Sequence, residues 1–459
     1  MPTPRFDPAD AEELGSLARS PHLVGAGSDP ADEVARLGCL TYGADDPARL
    51  VQARALLARH PESARGTMHA AATVGDAAAA EAFLAADPGA ADRPCGPFGW
   101  EPLLYVAYGR IDSPDPRHDP LAVARLLLAR GAEPDVGYLW EGLPCPFTAL
   151  TGALGGGEGG QPPHRRWLEL ASLLLDAGAD ANDAQAVYNL GLGDGRPAAA
   201  RDDPAHDTTA HDDTAALELL YRYGLGRGDG GPWRHRLGPD APTPADLAAE
   251  VLQHAAEAGL EQRVRLALRE GADPNRRARH PIFEGRTPYW SALHGGNLAV
   301  ADLLVAAGAD ASGVDDVARL VARILAGDPT AREADPGLLR RAVGADPYLA
   351  ARAAARGRVG AIELMTALGW DINACDRMTA LHAAAWRDDR ELVERLLALG
   401  ADPAARDRDF DATPAGWAAH GGHRALADRL DAALTDPSDV DPPPTPPDGQ
   451  VPGCEPPTG

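Results

Sequence analysis

Lysine is absent from the 459-residue chain, whose 43 basic side chains are all arginine. That absence excludes Schiff-base chemistry on a lysine and removes the residue a Walker A loop needs to reach the β- and γ-phosphates. Aromatic residues are scarce at 5%, although apolar residues reach 44%. With alanine and leucine supplying most of the apolar surface, close-packed short helices are favoured over a β-sandwich. The five cysteines, Cys39, Cys95, Cys145, Cys375 and Cys454, are odd in number and never form a C-x-x-C pair. They imply neither a disulfide framework nor a zinc site. No apolar run approaches the ~18 residues of a membrane span, and Met1 to Asp10 carries three prolines and one arginine with no apolar run behind it. A cytoplasmic location and no membrane partner are therefore expected.

Signatures of catalysis are also missing. There is no His-Glu-x-x-His, no Gly-x-Ser-x-Gly elbow and no His-Arg-Asp loop, the commonest marks of metalloproteases, α/β-hydrolases and kinases. The glycine-rich stretches 191–195 and 224–231 follow no β-branched strand and contain no lysine, so they read as turns rather than phosphate loops. No catalytic residue, metal site or cofactor is assigned. The 68 acidic residues outnumber the basic ones to give a net charge of −25. Such a field repels nucleic acid and anionic lipid and favours a basic partner.

What the chain does contain is a repeat. A leucine-rich helix followed by Gly-Ala-Asp/Glu recurs at Leu126–Glu133, Leu173–Asp180, Leu303–Asp310 and Leu396–Asp402, with variants at Gly271-Ala272-Asp273, Gly344-Ala345-Asp346 and Gly369-Trp370-Asp371. Paired leucines bury one helix face, and the glycine can take the left-handed conformation that ends the helix. Further on, new helices open at Thr148-Ala149-Leu150, Thr287-Pro288, Thr379-Ala380-Leu381-His382 and Thr413-Pro414. Threonine caps the first turn, and proline suits the first helical position because its missing N–H would be unpaired anyway.

The run from Thr379-Ala380-Leu381-His382-Ala383-Ala384-Ala385 to Gly400-Ala401-Asp402-Pro403 resembles an ankyrin repeat, and residues 34–434 resemble a divergent ankyrin array. The usage of alanine, glycine, proline and arginine suggests a high-GC bacterial genome. Helix ends near His60, Asp87, Gly131, Gly178, Gly224, Gly271, Gly308, Gly344, Gly369 and Gly400 give ten irregular units against the ~33-residue spacing of the family. Gly66-Thr67-Met68-His69 keeps the helix opening, but Ala86-Asp87-Pro88 replaces the glycine stop. The resulting expectation is an all-α, ankyrin-type helix-turn-helix solenoid with short hairpin fingers and long inter-helix insertions. Residues 1–33 would form an N-terminal cap, and 435–459 a disordered, proline-rich acidic tail.

Three successive units lengthen between their helices, at Ile111–Pro120, Gly155–Pro163 and Gly193–Asp213, and equivalent loops of stacked repeats line one edge. The third is acidic, with Asp194, Asp202, Asp203, Asp207, Asp212 and Asp213 around His206 and His211. A metal-dependent function using this ledge is the second reading; a solvated loop is the simpler one. Two more insertions, Gly224–Pro244 and Arg276–Gly285, fall on the finger side.

The ankyrin resemblance implies that fingertips and first-helix faces grip a partner. Alternation puts Phe98 with Trp100, and Tyr138 with Trp140, on one face of an extended finger, while Ile282 and Phe283 crown a longer one. Aligning the helix openings places Thr73, Tyr108, His294, Trp386, Arg387 and His420 toward the groove. Tyrosine, tryptophan and arginine often dominate interface energy. The bland alternative is that Trp100 and Trp140 pack on neighbouring fingers. Trp290, Trp417, His382 and His69 align with inward or loop-holding positions. The function expected is a non-catalytic, monomeric module binding one protein partner; a third reading is an acidic inhibitor occupying a basic surface.

Overall fold

A threonine opens helix after helix. Thr67, Thr148, Thr287, Thr379 and Thr413 each accept, on the side-chain oxygen, the amide three residues on. Thr243 forms a reciprocal capping box with Asp246. Each such cap is worth about 1 kcal/mol. The opposite ends close as the repeat signature requires. Gly131, Gly178, Gly224, Gly271, Gly308, Gly369 and Gly400 all have φ between 91° and 109°. At Gly308 the amide returns to Val305 O and that of Ala309 to Leu304 O, each at 2.9 Å, which satisfies the last carbonyls of the helix.

Gly344 differs from that expectation. It lies inside a helix running Pro336–Ala345, which stops only at Asp346, at φ −142° and ψ 77°. Asp346 precedes Pro347, and the residue before a proline is driven out of the helical region. The same ending occurs at Asp87, before Pro88.

The computed structural model describes residues 14–20 and 29–435, apart from 44, 47, 114, 158–159, 192–211 and 284. His206, His211 and most of the acidic loop lie outside the described residues, as does the tail from residue 436. The chain divides into two units, Met1–Val314 and Asp315–Gly459.

In the first unit the helices form successive pairs: α1 (Pro30–Gly38) and α2 (Ala48–Arg59), α3 (Met68–Val74) and α4 (Ala77–Ala86), α5 (Pro102–Tyr108) and α6 (Pro120–Ala129). They continue as α7 (Ala149–Leu154) and α8 (Trp167–Asp176), then α9 (Ala184–Gly191) and α10 (Ala215–Arg222). An extra helix, α11 (Gly231–Leu237), precedes α12 (Pro244–Ala258) with α13 (Glu261–Arg269), and α14 (Pro288–His294) with α15 (Leu298–Ala306). First helices pack on first helices of the next pair, from α1 on α3 to α12 on α14. Alanines such as Ala70, Ala71 and Ala72 of α3 are fully enclosed and allow this close approach.

The fold is mostly helical, as expected, and carries one small three-stranded sheet. Between α6 and α7 the finger is a true hairpin, β2 (Gly137–Trp140) with β3 (Pro146–Thr148), and β1 (Ala18–Arg19) adds to it in parallel. The register pairs Ala18 with Leu139 and Tyr138 with Phe147. The insertion 224–244 supplies α11, whose Trp233 and Leu237 bury Leu14, Leu139 and Ala241 against the sheet. Trp233 Nε1 donates to Asp135 O at 2.8 Å.

A polar ladder laces the turns that follow the second helices. Asn182 Oδ1 accepts Gly226 N at 2.8 Å, and Asn275 Oδ1 accepts Asp310 N at 2.7 Å. Asp135 and Asp92 occupy the matching place one and two units earlier, accepting Asp180 N at 2.8 Å and Glu133 N at 3.3 Å. Glu133, Asp180 and Asp310 are each third in a Gly-Ala-Asp/Glu signature, and Gly226 holds the same place in Gly224-Leu225-Gly226, so in each of these turns one side chain fixes the next turn.

The second unit contains α16 (Asp316–Leu325) with α17 (Pro336–Ala345), α18 (Leu349–Ala355) with α19 (Val359–Ala367), α20 (Ala380–Trp386) with α21 (Arg390–Ala398), and α22 (Pro414–His420) with α23 (Arg424–Thr435). Its own core joins Leu349, Ile362, Met365, Leu381, Leu392, Leu396 and Leu430. The ladder recurs here, Asn373 Oδ1 accepting Asp402 N at 2.8 Å. His382 presents Nε2 to Ala412 O at 3.0 Å and Nδ1 to Thr379 Oγ1 at 2.8 Å. It holds neighbouring loops, and burial depresses its basicity.

Candidate functional site

The finger aromatics point inward. Phe98, Trp100 and Tyr138 are 4%, 0% and 2% exposed, and Tyr108, at the end of α5, is 0% exposed, which corrects the expectation that these rings face a partner and agrees with the alternative that Trp100 packs internally. Phe98 and Trp100 do share a face, with ring centroids 4.5 Å apart, but the next finger covers that face. Trp100 lies 5.1 Å from both Tyr108 and Tyr138, and Tyr138 5.7 Å from Phe147. Offset and edge contacts of this kind suit the ring quadrupoles. Tyr108 donates to Thr148 O at 2.9 Å, and Tyr105 to Cys95 O at 2.8 Å. Trp140, at the edge of the column, is half-buried and donates its Nε1 to Thr41 O at 3.1 Å. Phe283 is likewise enclosed, edge-on to His254 at 4.7 Å, while its neighbour Ile282 is half exposed. Thr73 is buried too, its hydroxyl donating to His69 O.

The column ends in a pocket of about 580 Å³ within the first unit. Tyr42, Trp140 and Phe147 wall one part of it, and Tyr188 and His280, stacked at 5.0 Å, wall another. Asp135, Asp180, Asp183 and Glu250 reach its lining from three different turns and helices, against a single arginine, Arg234, among the described residues. Asp183 is the N-terminal cap of α9: it accepts the hydroxyls of Thr148 and Thr151 and the amide of Ala186. Burial raises its pKa against those bonds. Burial also pushes the Asp135 carboxyl up to about 7, with the Asp180 amide pulling the other way. No spacing in the sequence announces Tyr42, Tyr188, Glu250 or His280 as neighbours, because they come from four separate segments.

On the groove ends of the first unit, His294 is largely enclosed. Its Nδ1 meets Glu257 Oε1 at 2.7 Å, and its ring stacks on Trp290 at 5.1 Å. Arg286 lies over the other ring, 4.8 Å from the Trp290 centroid. Asp212, counted with the acidic ledge, accepts the amides of Gln262 and Arg263 at 2.6 Å and 3.0 Å. It caps α13. Among the described residues no group of three or more His, Cys, Asp or Glu is placed to hold a metal ion.

In the second unit the groove end is open. Trp386 is 47% exposed, yet it is braced: His420 stacks on it at 6.0 Å and Trp417 meets it edge-on at 5.9 Å. Trp417 is half-buried and in turn donates to Asp407 Oδ2 at 3.0 Å. The same carboxylate takes the amides of Asp409, Phe410 and Ala412. Burial alone would raise its pKa, but these donors hold it down at about 2. Arg387 donates to Ala355 O at 3.1 Å, tying α20 to α18. Trp386 and His420 thus stack on one another at the surface, whereas the finger aromatics form a core.

Among the described residues no helix is long and apolar enough to cross a membrane. The family model for ankyrin repeats (many copies) matches residues 350–397, from α18 to α21. That match supports an ankyrin-repeat protein, a class whose repeats are generally protein-interaction modules and typically not enzymes. No curated protein matches the chain.

Proposed function

We propose that the chain is a non-catalytic module that binds a protein partner, and that Trp386, Arg387 and His420 carry the contact. The supporting observation is an exposed tryptophan held in one orientation by His420 and Trp417. A rigid aromatic beside an arginine loses little entropy on binding, and such residues commonly dominate interface energy. The net charge of −25 favours a partner with a basic surface. We assign the chain to a monomer acting in the cytoplasm, without cofactor, metal or nucleic acid.

The test is affinity capture from the native host with the full chain, comparing the parent with Trp386→Ala and His420→Ala. A partner that co-elutes with the parent should drop about tenfold or more with Trp386→Ala, at an unchanged melting temperature. Equal recovery by the folded variant would remove this surface from the reading.

A further inference from the structure

The pocket of the first unit carries an inference that goes beyond partner binding in the second unit and does not rest on it. Its four acids do not have equal roles. Asp183 is saturated by two threonine hydroxyls and a helix amide. Asp180 accepts Asn182 through both its amide and its side chain. Asp135 takes the amide of Asp180 as part of the ladder. Glu250 has no such employment. Its side chain is 10% exposed, on the face of α12 that lines the pocket. Among the described residues the basic side chain that meets it is His254, with Nε2 3.8 Å away and outside hydrogen-bond reach.

A carboxylate enclosed to this degree without a donor is costly unless something charged or hydrogen-bonding meets it. The walls around it define what could. Trp140, Tyr42 and the Tyr188–His280 stack offer ring faces, and Leu143, Pro144 and Leu237 offer apolar surface for a stem. Ring faces attract cations, and the attraction grows when water is excluded. Arg234, which lines the pocket, donates to Asp229 O at 3.1 Å. Arg236 illustrates the chemistry nearby, with its guanidinium 5.1 Å from the Trp233 ring centroid.

We propose that this pocket binds an organic cation, a guanidinium or primary ammonium on an unbranched aliphatic stem, with Glu250 as its counter-ion and Trp140 and Tyr42 along the stem. A basic side chain of a peptide and a free alkyl amine share that chemistry.

Titration of the full-length protein with agmatine, with cadaverine and with a short blocked peptide containing one arginine, followed by calorimetry, tests it. The same peptide with citrulline in place of arginine is the uncharged control. At least one cationic probe should bind saturably, and the citrulline peptide should bind at least tenfold more weakly. Glu250→Gln should weaken the cation by tenfold or more and leave the control unchanged. If Glu250→Gln does not fold, Asp135→Asn, which keeps the acceptor oxygen, should give a smaller loss of the same kind. Peptide binding without amine binding identifies a side chain of a protein as the source, and the reverse a free amine; either supports the site. No saturable binding by any cation, or equal affinity for arginine and citrulline peptides, overturns it.

Discussion

Asn275 grips Asp310 across one repeat: its Oδ1 accepts the Asp310 amide at 2.7 Å while its Nδ2 donates to Gly308 O at 3.0 Å. The same double contact joins Asn373 to Asp402 and Gly400. One amide side chain therefore satisfies a donor and an acceptor of the turn that follows the helix.

Replacing Asn275 by leucine should cost about 1 kcal/mol in denaturant unfolding, the net worth of these bonds at an exposed site. Asn275→Asp keeps the acceptor and loses the donor, so its cost should fall between the parent and the leucine variant. An unchanged midpoint for Asn275→Leu would show that the ladder contributes nothing.

Asp135 stands where the ladder has asparagine at 182, 275 and 373, and burial pushes its carboxyl up to about 7. An unfolded aspartate loses its proton near 4. Between those values the folded chain holds a proton that the unfolded chain has lost, so stability falls as pH rises through this window. Asp135→Asn preserves the bond to Asp180 and removes the charge. Its unfolding free energy should exceed the parent's at pH 8, by on the order of 2–4 kcal/mol at most, and the gap should close toward pH 4. Parallel melting curves at all pH values would contradict the assignment.

His164 acts in the opposite direction. It is buried, its Nδ1 accepts the Arg166 amide at 3.1 Å, and burial followed by the nearby Arg110 lowers its pKa to about 3. The unfolded ring protonates near 6.5. The stability it contributes is complete above that value and is lost as pH falls from about 6.5 toward 3. His164→Asn, which retains an acceptor, should flatten the melting temperature across this acid range. A variant as acid-sensitive as the parent would place the effect elsewhere.

These contacts show which parts of the molecule could be read from residues alone. Threonine caps and left-handed glycines were legible because each depends on chemistry within a few residues of itself. Gly344 misled because a neighbour, Pro347, sets where that helix stops. Alternation told which finger rings share a face. It could not tell that the following finger covers that face, which is why Trp100 and Tyr138 proved to be interior. For Trp386, alignment pointed toward the groove and the ring is in fact open to solvent, whereas Glu250 gave no sign, because an acid on a helix looks the same whether water or a cavity meets it. The ladder had a visible signal in Asp-x-Asn after the helix stop, at 180–182, 273–275 and 371–373.

At Gly271 and Gly308, with φ of 94° and 95°, an added methyl group would meet no atom within 4 Å. What these junctions demand is handedness and not room. An ordinary alanine there is strained, but its mirror image, D-alanine, prefers this very backbone conformation and would also stiffen the unfolded chain. The joints between repeats are thus places where the chain takes either an achiral residue or one of the mirror-image hand.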